Sequence, residues 1–181
     1  RQAAKHAAST VLLTGETGTG KEVAARALHA LAFPDGQGPF VAVNCAALPG
    51  EMFESELFGA ERGAFTGADR KRAGLAAAAA DGTLFLDEIA EVPLASQAKL
   101  LRLLEAREFR ALGSTETQPF TGRFVAATNK VLADEVKAGR FREDLLFRLD
   151  VFAVELPPLR QRRADVPGLA LSIRSGPAVA G

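Results

Sequence analysis

The 181 residues are 48% hydrophobic and carry 22 Lys and Arg against 22 Asp and Glu, a formal net charge of zero. That apolar content can bury one core of ordinary domain size, the charge balance argues against a dedicated nucleic-acid or membrane surface, and no apolar run reaches the length of a signal-peptide core or membrane span, so the sequence places the chain in the cytoplasm. Cys45 is the only cysteine and His6 and His29 the only histidines, which excludes an internal disulfide and a Cys/His zinc site.

Residues 1–9 read as an alanine-rich lead-in without signal. Val11, Leu12 and Leu13 then form a short apolar run of the kind a buried parallel strand has, and from Glu22 to Ala32 the spacing turns helical through Val23, Ala27, Leu28 and Leu31. Between them lies a phosphate cradle, Gly15-Glu16-Thr17-Gly18-Thr19-Gly20-Lys21-Glu22. Its glycines allow a tight turn that aims successive N–H groups at one anion, the helix N-terminus adds its dipole, and Lys21 reaches the β- and γ-phosphates. A Gly-x4-Gly-Lys string arises by chance in roughly 1 of 20 chains of this length, so the strand before it and the helix after it are what make it a P-loop. Glu22 stands where most P-loops place a Ser or Thr hydroxyl on Mg²⁺, which leaves the metal to another ligand.

After a turn-rich link over residues 34–39, Phe40 to Val43 reads as a second strand ended by Asn44, a residue type that by itself favours a cap on the next segment. Glu51 to Phe58 is helix-like. From Gly59 to Asp69 three glycines surround Phe65, and the residues alone allow two readings: a loop whose Phe tucks into the core, or an exposed loop presenting Phe65 and Thr66 to a partner. Ala73 to Ala80 is a small-residue helix, and Gly82 to Ile89 a third strand. Asp87 and Glu88 at its carboxyl end are costly among Leu84, Phe85, Leu86 and Ile89 unless they serve the P-loop, Asp87 holding Mg²⁺ and Glu88 polarising the attacking water. Ser96 to Glu108 is an amphipathic helix on Leu100, Leu103 and Leu104, Phe109 to Phe120 a hairpin, Arg123 to Asn129 a fourth strand and Val151 to Leu156 a fifth. Polar strand ends gather on one rim of a parallel sheet, so Asn44, Asp87, Glu88 and Asn129 are expected to face the P-loop. Arg140 to Arg148 mixes arginines with acids and reads as solvated helix charge, and Pro157 marks a boundary.

The strings at 15–22, 44–48, 56–59, 63–68 and 82–89 together resemble the sigma-54-dependent transcription activators, bacterial enhancer-binding proteins with a central AAA+ ATPase domain. Residues 97–102, 126–129, 141–144 and 156–160 fit as well, so the resemblance runs over roughly residues 10–167. It implies a P-loop NTPase fold of AAA+ type: a five-stranded, mostly parallel α/β sheet between helices, with a hairpin-type insertion loop. The core would span 10–156, with 157–181 as a linker and the start of a truncated lid or an unmatched tail, since the pattern stops after Val166 and the family's helical lid is largely absent. ATP and Mg²⁺ are the implied cofactors, bound by Gly15, Glu16, Thr17, Gly18, Thr19, Gly20, Lys21, Glu22 and Asp87, with Glu88 activating water. Asn44 resembles the residue that holds that glutamate, Asn129 the sensor, and Arg142 and Arg148 the arginines that reach a neighbouring subunit's γ-phosphate in a ring, usually a hexamer. Gly63, Ala64, Phe65, Thr66, Gly67 and Ala68 match the loop that grips sigma-54, which selects the exposed reading. DNA would be contacted only through a C-terminal domain outside this sequence. Ala60 stands where the family commonly has His, and Ala76, Ala77, Ala80 and Asp81 occupy positions usually more varied before the acidic strand. The implied function is ATP-driven remodelling of sigma-54 RNA polymerase holoenzyme; the alternatives are another AAA+ remodeller or a non-hydrolysing nucleotide-binding scaffold.

Overall fold

The structure, a computed structural model, describes residues 10–168. The expected lead-in at 1–9 and the tail from 169 lie outside the described residues. Five parallel strands form the central sheet: β1 (Val11–Thr14), β2 (Phe40–Asn44), β3 (Thr83–Asp87), β4 (Arg123–Thr128) and β5 (Phe152–Glu155). Their order is β2-β3-β4-β1-β5, so one strand separates the P-loop strand β1 from the acidic strand β3. The register sets Asn44 opposite Asp87, and Thr14 opposite both Thr128 and Glu155. All the carboxyl ends therefore lie along one rim, as the polar endings predict.

Helices cover the sheet unequally. One face carries α1 (Lys21–Ala32), which packs Ala25 and Leu28 on Val11, Leu13, Phe85 and Val125. The other face carries the larger core, where Leu12, Leu84, Leu86 and Phe124 meet α2 (Gly50–Phe58), α3 (Leu94–Ala106), α4 (Leu132–Lys137) and α5 (Glu143–Leu149) through Phe53, Leu57, Leu100, Leu103, Leu132 and Leu145. Because both faces are covered, β3 is apolar on both sides; Leu84, Phe85 and Leu86 are each at most 1% exposed. At about 1.5–3 kcal/mol for each such side chain, these central strands supply much of the driving force for folding. Among the described residues no helix is long and apolar enough to cross a membrane.

Two expectations are corrected. The helical spacing runs through Val23, Ala27, Leu28 and Leu31, yet of these only Leu28 packs on the sheet, while Val23 is 71% and Leu31 80% exposed. The cause is Lys21: its side chain must turn back into the loop, and the residues that share its helix face are Ala25 and Leu28. The Ala73–Ala80 helix shrinks to one turn, Leu75–Ala78. Arg72–Ala73 is instead a strand paired antiparallel with Gly59–Ala60, and Asp81 at φ 62° ends the helical stretch, its N–H donating to Thr121 Oγ1 at 3.1 Å. Helix α4 has no forecast in the sequence, because it is short and Val131 at its N-cap is exposed, which blurs the periodicity. The 109–120 hairpin is present as two-residue strands, Glu108–Phe109 and Gln118–Pro119.

Candidate functional site

The cradle is built from backbone geometry and a buried cation. Gly18 and Gly20 adopt φ of 82° and 85°, left-handed values that L side chains disfavour, and Gly20 is the N-cap of α1. Lys21 is 7% exposed, and its ammonium donates to the carbonyls of Gly15 at 2.9 Å and Glu16 at 3.2 Å. Thr19 closes the loop on itself, its N–H (3.3 Å) and Oγ1–H (2.8 Å) both donating to the Glu16 carbonyl. Glu22 points away along α1 and pairs with Arg26 at 2.7 Å.

The acidic strand end faces this loop. Thr17, Gly18, Gly20, Lys21, Glu22, Asp87 and Glu88 line one cavity of about 220 Å³. Asp87 Oδ1 accepts the Glu88 N–H at 3.0 Å, and Glu88 sits at φ 51°, one of three non-glycine residues with positive φ among those described. Left-handed backbone at such a residue costs on the order of 1 kcal/mol and re-aims the side chain at the turn after the strand. Asn129, at the end of β4, donates from Nδ2 to Thr17 Oγ1 at 3.0 Å, so a third strand end is wired into the loop. Asn44 lies beside Asp87 in register, but its Oδ1 accepts the Ala46 N–H at 2.9 Å; this is the capping role its residue type favours, and among the described residues no hydrogen bond joins it to Glu88. Next to it Cys45 is buried, and burial, reinforced by Asp87 and Glu88, pushes its thiol up to about 12. A thiol held neutral this firmly is a packing group, not a nucleophile.

Arg142 and Arg148 lie apart from this cavity. Arg142 is exposed and forms a bidentate pair with Asp144 at 3.0 and 2.7 Å, while its N–H donates to Oε1 of Gln97 at 2.8 Å. Gln97 is fully buried and also donates to the carbonyls of Val92 and Arg140, so it fixes the segment that leads into α5. Arg148 reaches the Leu104 carbonyl at 3.4 Å, and its Nε has no partner among the described residues.

The sequence reading missed a second set of contacts. Beyond β5 the chain folds back along the P-loop, where Arg160 clasps Glu16 and Arg162 bonds the Thr19 carbonyl. Its signal lay in the match at 156–160, which named Arg160 without a role. On the other side of this turn Gly15, Glu16, Leu132, Leu146, Leu156 and Pro158 help to line a larger, mostly apolar cavity of about 510 Å³.

The insertion loop rises from the pair Gly59–Ala60 and Arg72–Ala73. Its tip closes through Gly63 N–H to Ala68 O at 2.8 Å and Ala68 N–H to Phe65 O at 3.0 Å. Phe65, 43% exposed, Thr66 and both glycines face solvent, while Ala68 is buried. The loop is braced by the 108–119 hairpin: Glu61 N–H donates to Leu112 O, Leu112 N–H to Gly59 O, and a Cβ on Gly113 would come within 2.9 Å of Ala64 Cβ. Leu112 and Gly113 are thus part of the loop's support, and their sequence separation hid them.

A parallel sheet in the order β2-β3-β4-β1-β5, with a P-loop after β1 and a paired carboxylate ending after β3, defines a P-loop domain of the AAA+ class. A sequence profile for the sigma-54 interaction domain matches residues 1–155, and the chain belongs to that family. It is 55% identical over 162 residues to the Nif-specific regulatory protein of Azotobacter vinelandii and 55% to the regulatory protein AtoC of Escherichia coli (strain K12). Each match covers 90% of this chain but 31% and 35% of the relative, so the chain spans about a third of the length of these curated relatives. Crystal structures of NtrX from Brucella abortus in complex with ADP and with ATP superpose at TM-scores of 0.81 and 0.80, with 35% and 36% identity, over 97% of this chain and 40% of theirs. Hsp104, 18% identical at a TM-score of 0.71 over 94% of this chain and 33% of its own, shares the fold alone.

Proposed function

We propose that residues 10–156 form an ATP-hydrolysing core that remodels sigma-54 RNA polymerase holoenzyme in the cytoplasm, with residues from 157 on as a linker. The observation that carries the reading is the single cavity lined by Lys21, Asp87 and Glu88: a fixed cation and two carboxylates around a nest of loop N–H groups. In this reading the loop amides from Gly15 to Lys21 and the Lys21 ammonium hold the β- and γ-phosphates. The donors also suit Mg²⁺, because one carboxylate beside bound phosphate is the ligand set that ion takes, and among the described residues no cluster of three or more His, Cys, Asp or Glu forms a cage of its own. Asp87 would hold the ion, and bound there it neutralises charge on the phosphates. Glu88 accepts the proton of the attacking water, Asn44 orients Glu88 through its amide nitrogen, and Asn129 ties the loop to β4.

Neither Arg142 nor Arg148 bonds to the chain's own P-loop, and Arg142 is exposed, which supports action across a ring interface on a neighbour's γ-phosphate. Phe65 and Thr66 at the tip of the insertion loop would grip sigma-54, and DNA would be reached only through a separate domain. The test is phosphate release by the full-length protein. Glu88→Gln should bind ATP as the parent does and lose turnover by about 10²-fold or more, since the amide keeps the shape and cannot take the proton. Parent-rate hydrolysis by that variant would remove Glu88 from the reaction.

A further inference from the structure

We propose that residues 156–162 form a strap that sets the shape of the phosphate loop, and that Arg160 is a positioning residue for nucleotide, acting through Glu16. The inference rests on the nucleotide-binding reading above. The strap meets the loop at three successive points. Leu156 N–H donates to Thr14 O at 2.8 Å, and the strap runs so close there that a Cβ on Gly15 would stand 2.5 Å from the Leu156 carbonyl oxygen. Four residues further on, Arg160 Nη1 and Nη2 bond the Glu16 carboxylate at 2.8 and 2.5 Å. Arg162 Nη2 then donates to the Thr19 carbonyl at 2.5 Å.

The residues gripped are the ones that fix the loop. The Glu16 carbonyl receives the Lys21 ammonium, the Thr19 N–H and the Thr19 hydroxyl, so whatever holds Glu16 also holds the acceptor that aims Lys21. Charge gives a second reason. Glu16 is a carboxylate in a loop built to receive an anion, and uncompensated it would repel a polyphosphate. The Arg160 guanidinium cancels that charge with a fork-to-fork pair and holds the Glu16 carboxyl below the usual carboxylate range. The pair itself is solvent-exposed, with side chains 62% and 57% accessible, so it contributes little to global stability and its loss should be read in nucleotide affinity.

Titration calorimetry with Mg-ATP on the 181-residue chain, together with hydrogen exchange of the loop amides without nucleotide, tests the proposal. Arg160→Ala should weaken ATP binding on the order of tenfold at low salt, with less effect at high salt, and speed exchange of the Thr19 amide while the unfolding midpoint stays put. Arg160→Lys should recover part of the affinity, since it keeps the charge and loses the fork. Adding Glu16→Gln to Arg160→Ala should also restore much of it by removing the exposed carboxylate. Should the parent bind no ATP while Arg160→Ala still loosens the Thr19 amide, the nucleotide reading falls and the strap stands as a loop-shaping device. Should the parent bind and Arg160→Ala match it in both affinity and exchange, the strap is overturned with the nucleotide reading intact.

Discussion

The P-loop and the insertion loop use the same backbone chemistry and put it to opposite ends. Each carries a pair of glycines at left-handed φ with open space where a Cβ would stand, Gly18 and Gly20 in one, Gly63 and Gly67 in the other. In the P-loop the side chains between and after the glycines turn inward: Thr19 is 4% and Lys21 7% exposed, and both bond to loop carbonyls. In the insertion loop the bonds at the tip run from backbone to backbone, Gly63 N–H to Ala68 O and Ala68 N–H to Phe65 O, and Phe65 and Thr66 face water. Glycine spacing therefore specifies that a chain turns tightly. What a loop does with the turn is set by what surrounds it, a strap and three strand ends in one case and a short hairpin brace in the other.

The sharpest break of this comparison is Lys21→Ala. Removing the buried ammonium should abolish ATP binding in a titration, because no other cation points into that cradle from its own loop. Unchanged affinity would mean the loop is a turn and nothing more.

The matching change on the other side is Thr66→Ala. Phosphate release and promoter opening, measured on one preparation of the full-length protein, should separate: hydrolysis stays within a few-fold of the parent while opening is lost. The fold itself should lose no more than about 0.5 kcal/mol, since the hydroxyl is exposed. Surviving promoter opening would make this loop a packing element.

A third comparison is in stability alone. Gly15→Ala places a methyl 2.5 Å from the Leu156 carbonyl oxygen at φ 146° and should cost about 3 kcal/mol in chemical denaturation. Gly63→Ala meets no atom within 4 Å and pays only for its φ of 80°, about 1 kcal/mol. Equal losses would show that the strap yields easily.

The smallest expected effect concerns pH, at the amino-terminal end of the sheet far from both loops. His29 lies against Phe33 and Phe40 with Nδ1 2.9 Å from Thr83 Oγ1, and its pKa is lowered by burial and then by Arg123 and Arg26. A histidine depressed in the folded state binds its proton more readily when unfolded, so its contribution is intact above about pH 6.5 and is lost as pH falls from there through the folded value. Melting midpoints at pH 7.5 and 5.5 should differ in the parent, and the difference should shrink in His29→Gln.

Much of the candidate nucleotide site was legible in the chain because each of its parts is local. A strand, a glycine loop with its lysine, and an apolar strand ending in Asp87-Glu88 are contiguous strings whose chemistry is fixed by residue type and spacing, and parallel pairing brings their ends to one rim. The exposed insertion loop was legible only through the resemblance, since its residues alone left inward and outward readings level. What the tertiary structure decided depends on contacts between distant segments. The rotation of α1, set by the need to turn Lys21 inward, left Val23 and Leu31 in solvent against their own periodicity. Pairing of Arg72–Ala73 with Gly59–Ala60 shortened the alanine helix. Leu112 became a brace for the insertion loop, and Arg160 a clasp on Glu16 across 144 residues of sequence. Residue spacing encodes which face of an element is apolar, but which neighbour that face meets is settled only when the sheet order closes the chain on itself.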